Sequence, residues 1–361
     1  MGANEQGRSL GLPKLAIAAL VLGAIALSLG LLKELSAVIA PTFLAVNLLI
    51  ASFPIYTALT GRRAPSPVAA IVTGLVVLLI FLASLGAIVW SGTAMVQSLT
   101  AYGPQFTSLY AQFIDWLAGL GFDQTALLNQ LKSISPSSVI GLVGNVVSEI
   151  SSATGLVLVV LIAMVFMVMD LPSVGRRFAV TDRLHPDFTD ALDSLTHGIR
   201  RYWLVTTLFG LIVALADGVV LVSVGVPLPL VWVILSFITN YIPNIGFIIG
   251  LLPPALLALF EKGPWAAVVV VVAYSVLNFV IQSIIQPKFT GDAVGISPTV
   301  SFLSLLLWTA VFGALGALLA LPLTLTVKAL LIDNDPKARW VGAFLASDPD
   351  SVDTSDCADH N

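Results

Sequence analysis

The chain has 361 residues, of which 58% are hydrophobic and 10% charged, against about 45–50% and about 25% in a soluble domain. That balance sets aside a water-soluble enzyme and describes a chain built for a bilayer. The formal net charge of −4 says less than where the basic residues fall along the chain.

Eight apolar stretches follow one another: Leu15 to Leu32, Leu35 to Leu59, Val68 to Trp90, Thr154 to Leu171, Tyr202 to Val226, Leu228 to Phe260, Trp265 to Gln286 and Thr299 to Leu330. Each has about the length that crosses a hydrocarbon core of about 30 Å, so the expected fold is an all-α integral membrane protein. The first stretch is long and runs almost directly into the second, so it reads as an uncleaved anchor and not as a signal peptide. With the N-terminus in the cytoplasm, alternation puts 13 of the 16 Lys and Arg inside: Arg8, Lys14, Arg62, Arg63, Arg176, Arg177, Arg183, Arg200, Arg201, Lys262, Lys328, Lys337 and Arg339. Lys33, Lys132 and Lys288 stay outside, and both termini are expected on the cytoplasmic face of the cell inner membrane.

Residues 1–90 hold the first three segments. Residues 91–152 form an outer region in which Phe106, Leu109, Phe113, Trp116 and Leu120 recur at helical spacing, which predicts an amphipathic helix lying on the membrane, packing on a neighbour or acting as a lid. Residues 153–332 carry segments four to eight. Within them, 172–201 is an inner amphipathic helix with Phe188, Leu192, Leu195 and Ile199 on one face. Its acids Asp187, Asp190 and Asp193 lie toward the start and Arg200 and Arg201 at the end, as the helix dipole favours. His185 and His197 are too far apart for a local metal pair. Residues 333–361 read as a disordered acidic tail, whose lone Cys357 has no intramolecular partner.

The transport core is expected within 202–332. Its sixth and eighth stretches run to about 32 residues, or about 48 Å as straight helices. Either they tilt and protrude, or each folds back as a re-entrant hairpin at "IPNIG" or "FGALG". Folding both back exchanges Lys262 for Lys288 on the inner side and leaves the charge count unchanged. The two halves from Val224 and Val294 also resemble each other, with Gly225 and Gly246 matching Gly295 and Gly316 at an offset of 70 and Pro253 nearly matching Pro322. In the hairpin version the repeats have opposite orientation, a common transporter architecture.

Breaks are expected at Pro243, Gly246, Pro253, Pro287, Gly313, Gly316 and Pro322. Unpaired backbone in hydrocarbon is tolerated only where protein or a water-filled cavity supplies partners. Asn240 and Asn244 suit that role, because an amide both donates and accepts. They form a mid-membrane site for solute or ion, or they only satisfy a kinked helix. Asp217 lies near the middle of the fifth segment, where a carboxyl is a functional candidate by default. It carries a proton, binds a cation, or makes a neutral helix–helix bond. Asn278, Gln282 and Gln286 recur every four residues and stop at Pro287; this stripe lines a pathway or joins helices.

The chain has no GxxxxGK[ST] loop, no HExxH, no clustered Cys and His and no basic-aromatic surface. The expectation is no cofactor, no metal, no nucleic-acid partner and no enzymatic role. Its partners are the lipid bilayer and a small polar solute, or a monovalent cation and a proton, with surface helices that leave room for a homo-oligomer.

From Ile199 to Leu331 the residues resemble the autoinducer-2 exporter-like, permease-type family of bacterial transporters. An Ile-Pro-x-Ile-Gly break falls on Ile242, Pro243, Ile245 and Gly246, and a Pro-x-x-x-Gly on Pro287 and Gly291. A Gly-x-x-Pro falls on Gly295 and Pro298, and a Gly-x-x-Gly…Pro on Gly313, Gly316 and Pro322. The N-terminal half agrees in layout. The resemblance implies about eight hydrophobic segments and either export of small polar signalling molecules or, in some relatives, cation/proton antiport. Two positions depart from the family pattern: Ile281 stands where many relatives carry Glu, and Thr206 where they carry Gln. The coupling of those relatives is therefore not transferable, and Asp217 is our own substitute for the missing Glu. The reading is an inner-membrane secondary transporter, an exporter coupled to protons; antiporter, passive channel and non-transporting scaffold are the alternatives.

Overall fold

The computed structural model describes residues 14–105, 108, 111, 112, 115, 119, 154–242, 246–286, 296–334 and 338–346. The apolar stretches give α1 (Lys14–Glu34), α2 (Ser36–Gly61), α3 (Ser66–Ala101), α4 (Thr154–Leu184), α5 (Pro186–Val224), α6 (Pro229–Thr239), α7 (Gly246–Lys262), α8 (Pro264–Asn278), α9 (Pro298–Leu318), α10 (Ala320–Lys328) and α11 (Arg339–Leu345). A π-helical turn, Phe279–Ile285, continues α8, and a second, Ala329–Asp333, continues α10. No strand occurs among the described residues, and the chain is an all-α membrane protein.

Prolines start helices here more often than they end them. Pro186, Pro229, Pro264 and Pro298 each open a helix, where the missing N–H has no helical partner to lose. Pro322 falls in the first turn of α10 for the same reason. Pro253 corrects the sequence reading: it lies buried with Pro254 inside α7, and the helix runs through both. Pro243 and Pro287 lie outside the described residues.

Seven helices are long and apolar enough to cross a membrane among the described residues, one fewer than the eight stretches. The sixth stretch accounts for the difference. It is divided into α6, of 11 residues, and α7, of 17, about 16 Å and about 26 Å long and each short of a 30 Å core. These two helices form an antiparallel hairpin. A Cβ placed on Gly246 would lie 1.7 Å from the Thr239 carbonyl oxygen, and one on Gly250 would meet Thr239 Oγ1 at 3.0 Å and Ser236 Cα at 3.3 Å. A step back along α6 thus meets a step forward along α7.

The eighth stretch turns back in the same way. Within α9, Gly313 has φ 63° and ψ −140°, a conformation open to glycine and costly for other residues. Beyond it, a Cβ on Gly316 would lie 1.8 Å from the Trp308 carbonyl oxygen, and the Thr324 hydroxyl stands 2.8 Å from Ser304 Oγ. Gly246 and Gly316, matched in the sequence at an offset of 70, make the same backbone contact in two hairpins.

Three domain boundaries move. The helix α3 continues past Trp90 to Ala101. The inner amphipathic segment is no separate element: α4 runs through Pro172 to Leu184, and after His185 a single 39-residue helix, α5, joins the amphipathic turns to the fifth apolar stretch. Its Asp193 and His197 lie 3.4 Å apart on the exposed face. The start of the tail is folded: Lys328 pairs with Asp333 at 2.8 Å, and the apolar run of α11 docks so that its Leu345 carbonyl accepts from Ser297 N at 2.8 Å. The five apolar residues of the outer amphipathic pattern lie outside the described residues, as does Cys357.

The largest buried cluster joins α2, α3, α4 and the Ile199–Trp203 turn of α5 to the second hairpin, through Leu305, Trp308, Phe312 and Leu323. A second cluster joins Met95, Leu221, Trp232, Leu257, Val270 and Tyr274 around the first hairpin. Near that hairpin's base, the Tyr102 hydroxyl donates to Glu261, and its ring stacks on Phe260 at 6.1 Å. The bond to Glu261 holds the phenol proton and raises the Tyr102 pKa above its ordinary value. Large apolar side chains such as Leu79, Phe166, Val219 and Leu303 are exposed, as lipid contact requires.

Gly246→Ala and Gly316→Ala are expected to destabilise the protein by more than the roughly 1–3 kcal/mol of ordinary overpacking, because the added methyl meets backbone. Gly86→Ala, where nothing lies within 4 Å, is expected to be neutral or slightly stabilising. Thermal unfolding of the three variants in detergent, read by fluorescence, checks this ranking.

Candidate functional site

The site is built on α5. Gly210, Ala214 and Gly218 recur one turn apart and are all buried, a spacing of small residues that lets another helix approach closely. The approaching helix is α6. Val233 meets Gly218, Ser236 meets Asp217, Asn240 meets Gly210 and Tyr241 meets Thr207, so α6 runs antiparallel along α5.

Asp217 is 0% exposed and is the one acidic or basic residue fully buried among the described residues. Ser236 Oγ donates to its Oδ2 at 2.7 Å, while its Oδ1 has no hydrogen-bond partner. Thr239 Oγ1, one turn on, donates to the Ser236 carbonyl at 3.2 Å. Among the described residues no cationic side chain acts on Asp217, which is buried against the Ser236 hydroxyl. An unpaired buried polar atom costs about 1–3 kcal/mol, and more when charged.

About ten ångströms further along α5, by the helical rise from Asp217 to Gly210, lies an amide network. Gln282 Nε2 donates to Asn278 Oδ1 at 2.9 Å and to Asn240 Oδ1 at 3.2 Å. Asn240 Nδ2 reaches the Gly210 carbonyl at 3.5 Å, and Asn278 Nδ2 donates to the Tyr274 carbonyl at 3.0 Å. Three elements are thereby held together: α5, the end of α6 and the α8 π turn that carries Gln282. Gln286 is half-buried at the end of the stripe, and the network's bonds run through Asn278 and Gln282. Asn244 lies outside the described residues.

The end of α6 is seated in aromatic surroundings. The Tyr241 and Thr207 hydroxyls lie 2.8 Å apart, Tyr202 Oη donates to the Tyr241 carbonyl at 3.4 Å, and Tyr241 packs on Trp203 and Phe237 with ring centres 5.6 Å and 5.5 Å away. Tyr241 also packs against the cluster that contains Trp308 and Phe312. The turns of both hairpins therefore border the same stretch of α5.

Ile281 is buried with Val205, Phe209 and Val213. Where the family resemblance led us to look for an acid, this chain has apolar packing. Sequence reading missed Ser236, Thr239, Tyr274 and Tyr241. Tyr274 had a signal, since it stands four residues before Asn278 and extends the polar stripe by one turn. Ser236 and Thr239 had none, because serine and threonine are common in membrane helices and only the packing of α6 brings Ser236 to Asp217 and Thr239 against α7.

Chemically, the arrangement offers one buried carboxyl and, along the same helix, uncharged hydroxyl and amide donors and acceptors. No group of three or more His, Cys, Asp or Glu assembles as a metal site among the described residues.

The sequence profile described as AI-2E family transporter matches residues 15–333. The AI-2 transport protein TqsA of Escherichia coli K12 is 26% identical over 317 residues, covering 86% of this chain and 90% of TqsA. A provisionally named transport protein of Haemophilus influenzae is 28% identical over 328 residues, covering 88% and 93%. YhhT of Escherichia coli K12, also provisionally named a transport protein, is 28% identical over 292 residues, covering 78% and 82%.

Replacing Asn240 and Gln282 singly and together with Leu is expected to reveal a favourable coupling of about 0.6 kcal/mol, the average for polar pairs in membrane helices. A double-mutant cycle of unfolding free energies in mixed micelles measures it.

Proposed function

We propose, for a chain that belongs to the AI-2E family of transporters, an inner-membrane secondary transporter that exports a small polar solute and couples its movement to protons at Asp217. The observation that carries this reading is a fully buried carboxyl beside a helical hairpin, with one oxygen unpaired and no cationic partner among the described residues. Ionised carboxylates are expensive in hydrocarbon, so a group in this position is suited to be neutral when it crosses and charged when it meets water. A proton taken up on one side and released on the other performs that change.

The two hairpins support the same reading. With about 16 Å of helix, α6 ends about halfway through a 30 Å core. If α5 leaves the cytoplasm at its basic Arg200 and Arg201, the first hairpin enters from outside and the second from inside. Both termini are then cytoplasmic, and Lys262 lies outside while Lys288 lies inside. Broken helices at the midplane, in repeats of opposite orientation, are the usual place for a transporter's binding site. The amides of Asn240, Asn278 and Gln282 and the hydroxyls of Thr207 and Tyr241 suit a neutral, oxygen-rich solute. Because TqsA is named for AI-2, AI-2 and similar small signalling molecules head the solutes to try.

Asp217→Asn keeps an oxygen for Ser236 and removes the exchangeable proton. It is expected to insert and fold normally and to lose proton-linked flux. Internal pH and solute content of proteoliposomes under an imposed pH gradient check this. Solute-dependent proton movement present in the wild type and absent in the variant supports the proposal. Proton movement that follows Na⁺ with no solute present reassigns the site to cation/proton antiport. Unchanged flux in the variant removes Asp217 from the mechanism.

A further inference from the structure

Two buried side-chain polar atoms lack a hydrogen-bond partner among the described residues, Asp217 Oδ1 on α5 and Tyr274 Oη on α8. The two residues are 0% and 1% exposed, and α5 packs directly on α8. Two unpaired buried groups of complementary chemistry where α5 meets α8 are better explained together than apart, since each alone is a standing cost.

Resting on the reading of Asp217 as the proton-exchanging group, we propose that Tyr274 is its positioning residue: Tyr274 Oη and Asp217 Oδ1 close a hydrogen bond in the other state of the transport cycle.

A phenol suits this task because it donates and accepts. To the ionised carboxylate it donates, a charge-assisted bond. From the protonated Oδ1–H it accepts. Ser236 holds Oδ2 in both cases, so a proton arriving at Asp217 reverses one bond without disturbing the other. Among the described residues no other charged group acts on Asp217: α6 brings the Ser236 hydroxyl and α8 the Tyr274 phenol, and the charges on α10 and the π turn after it, Lys328 and Asp333, pair with each other. Lys262 of α7 stands by Gly225, two turns further along. Tyr202 and Tyr241 stand at the opposite end of the α5–α6 contact.

The consequence travels along α8. The Tyr274 carbonyl accepts from Asn278, Asn278 accepts from Gln282, and Gln282 reaches Asn240 at the end of α6. The turn that follows Asn278 is π-helical, a geometry frequent at functional sites. A displacement of Tyr274 toward Asp217 is taken up there, and it changes the amides that would meet a solute. Protonation and solute binding are thereby linked through one face of one helix.

The test is infrared difference spectroscopy of the reconstituted full chain as pH is stepped, with Asp217→Asn used to assign the protonated-carboxyl band. Tyr274→Phe keeps the ring and removes only the hydroxyl. The band is expected to move in frequency in that variant, and its titration midpoint to shift by about one pH unit, tenfold in proton affinity. In the wild type, ring-deuterated tyrosine gives a second readout that needs no folded variant: a tyrosine C–O band that changes with the same midpoint as the carboxyl. A carboxyl band unaltered by Tyr274→Phe, or no tyrosine band following the carboxyl, overturns the role of Tyr274 and leaves Asp217 standing. If Asp217→Asn removes no carboxyl band, both readings fall.

Discussion

The close packing of α6 on α5 determines where every polar group at the centre of the molecule lies. Gly210, Ala214 and Gly218 present almost no side chain to the partner, so Val233 and Asn240 come within van der Waals distance of glycine positions on α5. At that separation a serine is long enough to reach an aspartate, and Ser236 does so at 2.7 Å. Had these three residues been leucines, the hairpin would stand further off and Asp217 would face lipid or water. A carboxyl deep in a bilayer is tenable here because the hairpin covers it.

The second constraint is the backbone itself. A helix that stops inside hydrocarbon leaves carbonyls and N–H groups without partners, and each must find one in protein. At the first hairpin a tyrosine of α5 does part of this, since Tyr202 reaches the Tyr241 carbonyl, while the amide of Asn240 at the end of α6 ties the hairpin to the Gly210 carbonyl of α5. At the second, the chain turns at Gly313, and Thr324, Ser304 and Trp308 bond across the two arms. In both, a glycine lies against a carbonyl of the first arm. The solutions share geometry and differ in chemistry: the first hairpin has amides and a carboxyl beside it, the second hydroxyls and an indole. The buried carboxyl of Asp217 thus faces the first hairpin from α5.

Much of this was legible in the sequence. Apolar stretches of bilayer length gave the fold class, because hydrocarbon allows few alternatives to helices. The 32-residue length of the sixth and eighth stretches showed that something must tilt or fold, and the matching glycines at an offset of 70 showed where. Asp217, Asn278 and Gln282 stood out because polar groups are rare in such surroundings. Proline was the weak guide. Read as a breaker, Pro253 led to a break inside α7 that does not exist, since a membrane helix runs through an interior proline where surrounding protein supplies partners for the carbonyl it leaves free.

By itself, then, the sequence determined the medium, the helices and the short roster of polar residues that such a medium makes conspicuous. Beyond the Asn278–Gln282 pair on one helix face, which of them meet was decided by tertiary structure. Asp217 and Ser236 are nineteen residues apart and Asn240 and Gln282 forty-two, and no periodicity along one helix specifies contact with another. The pairing follows from the direction in which each hairpin turns back and from how closely small residues let it approach. Those are properties of three-dimensional packing, in which a single glycine sets the distance between two chains and so selects the hydrogen bonds that form.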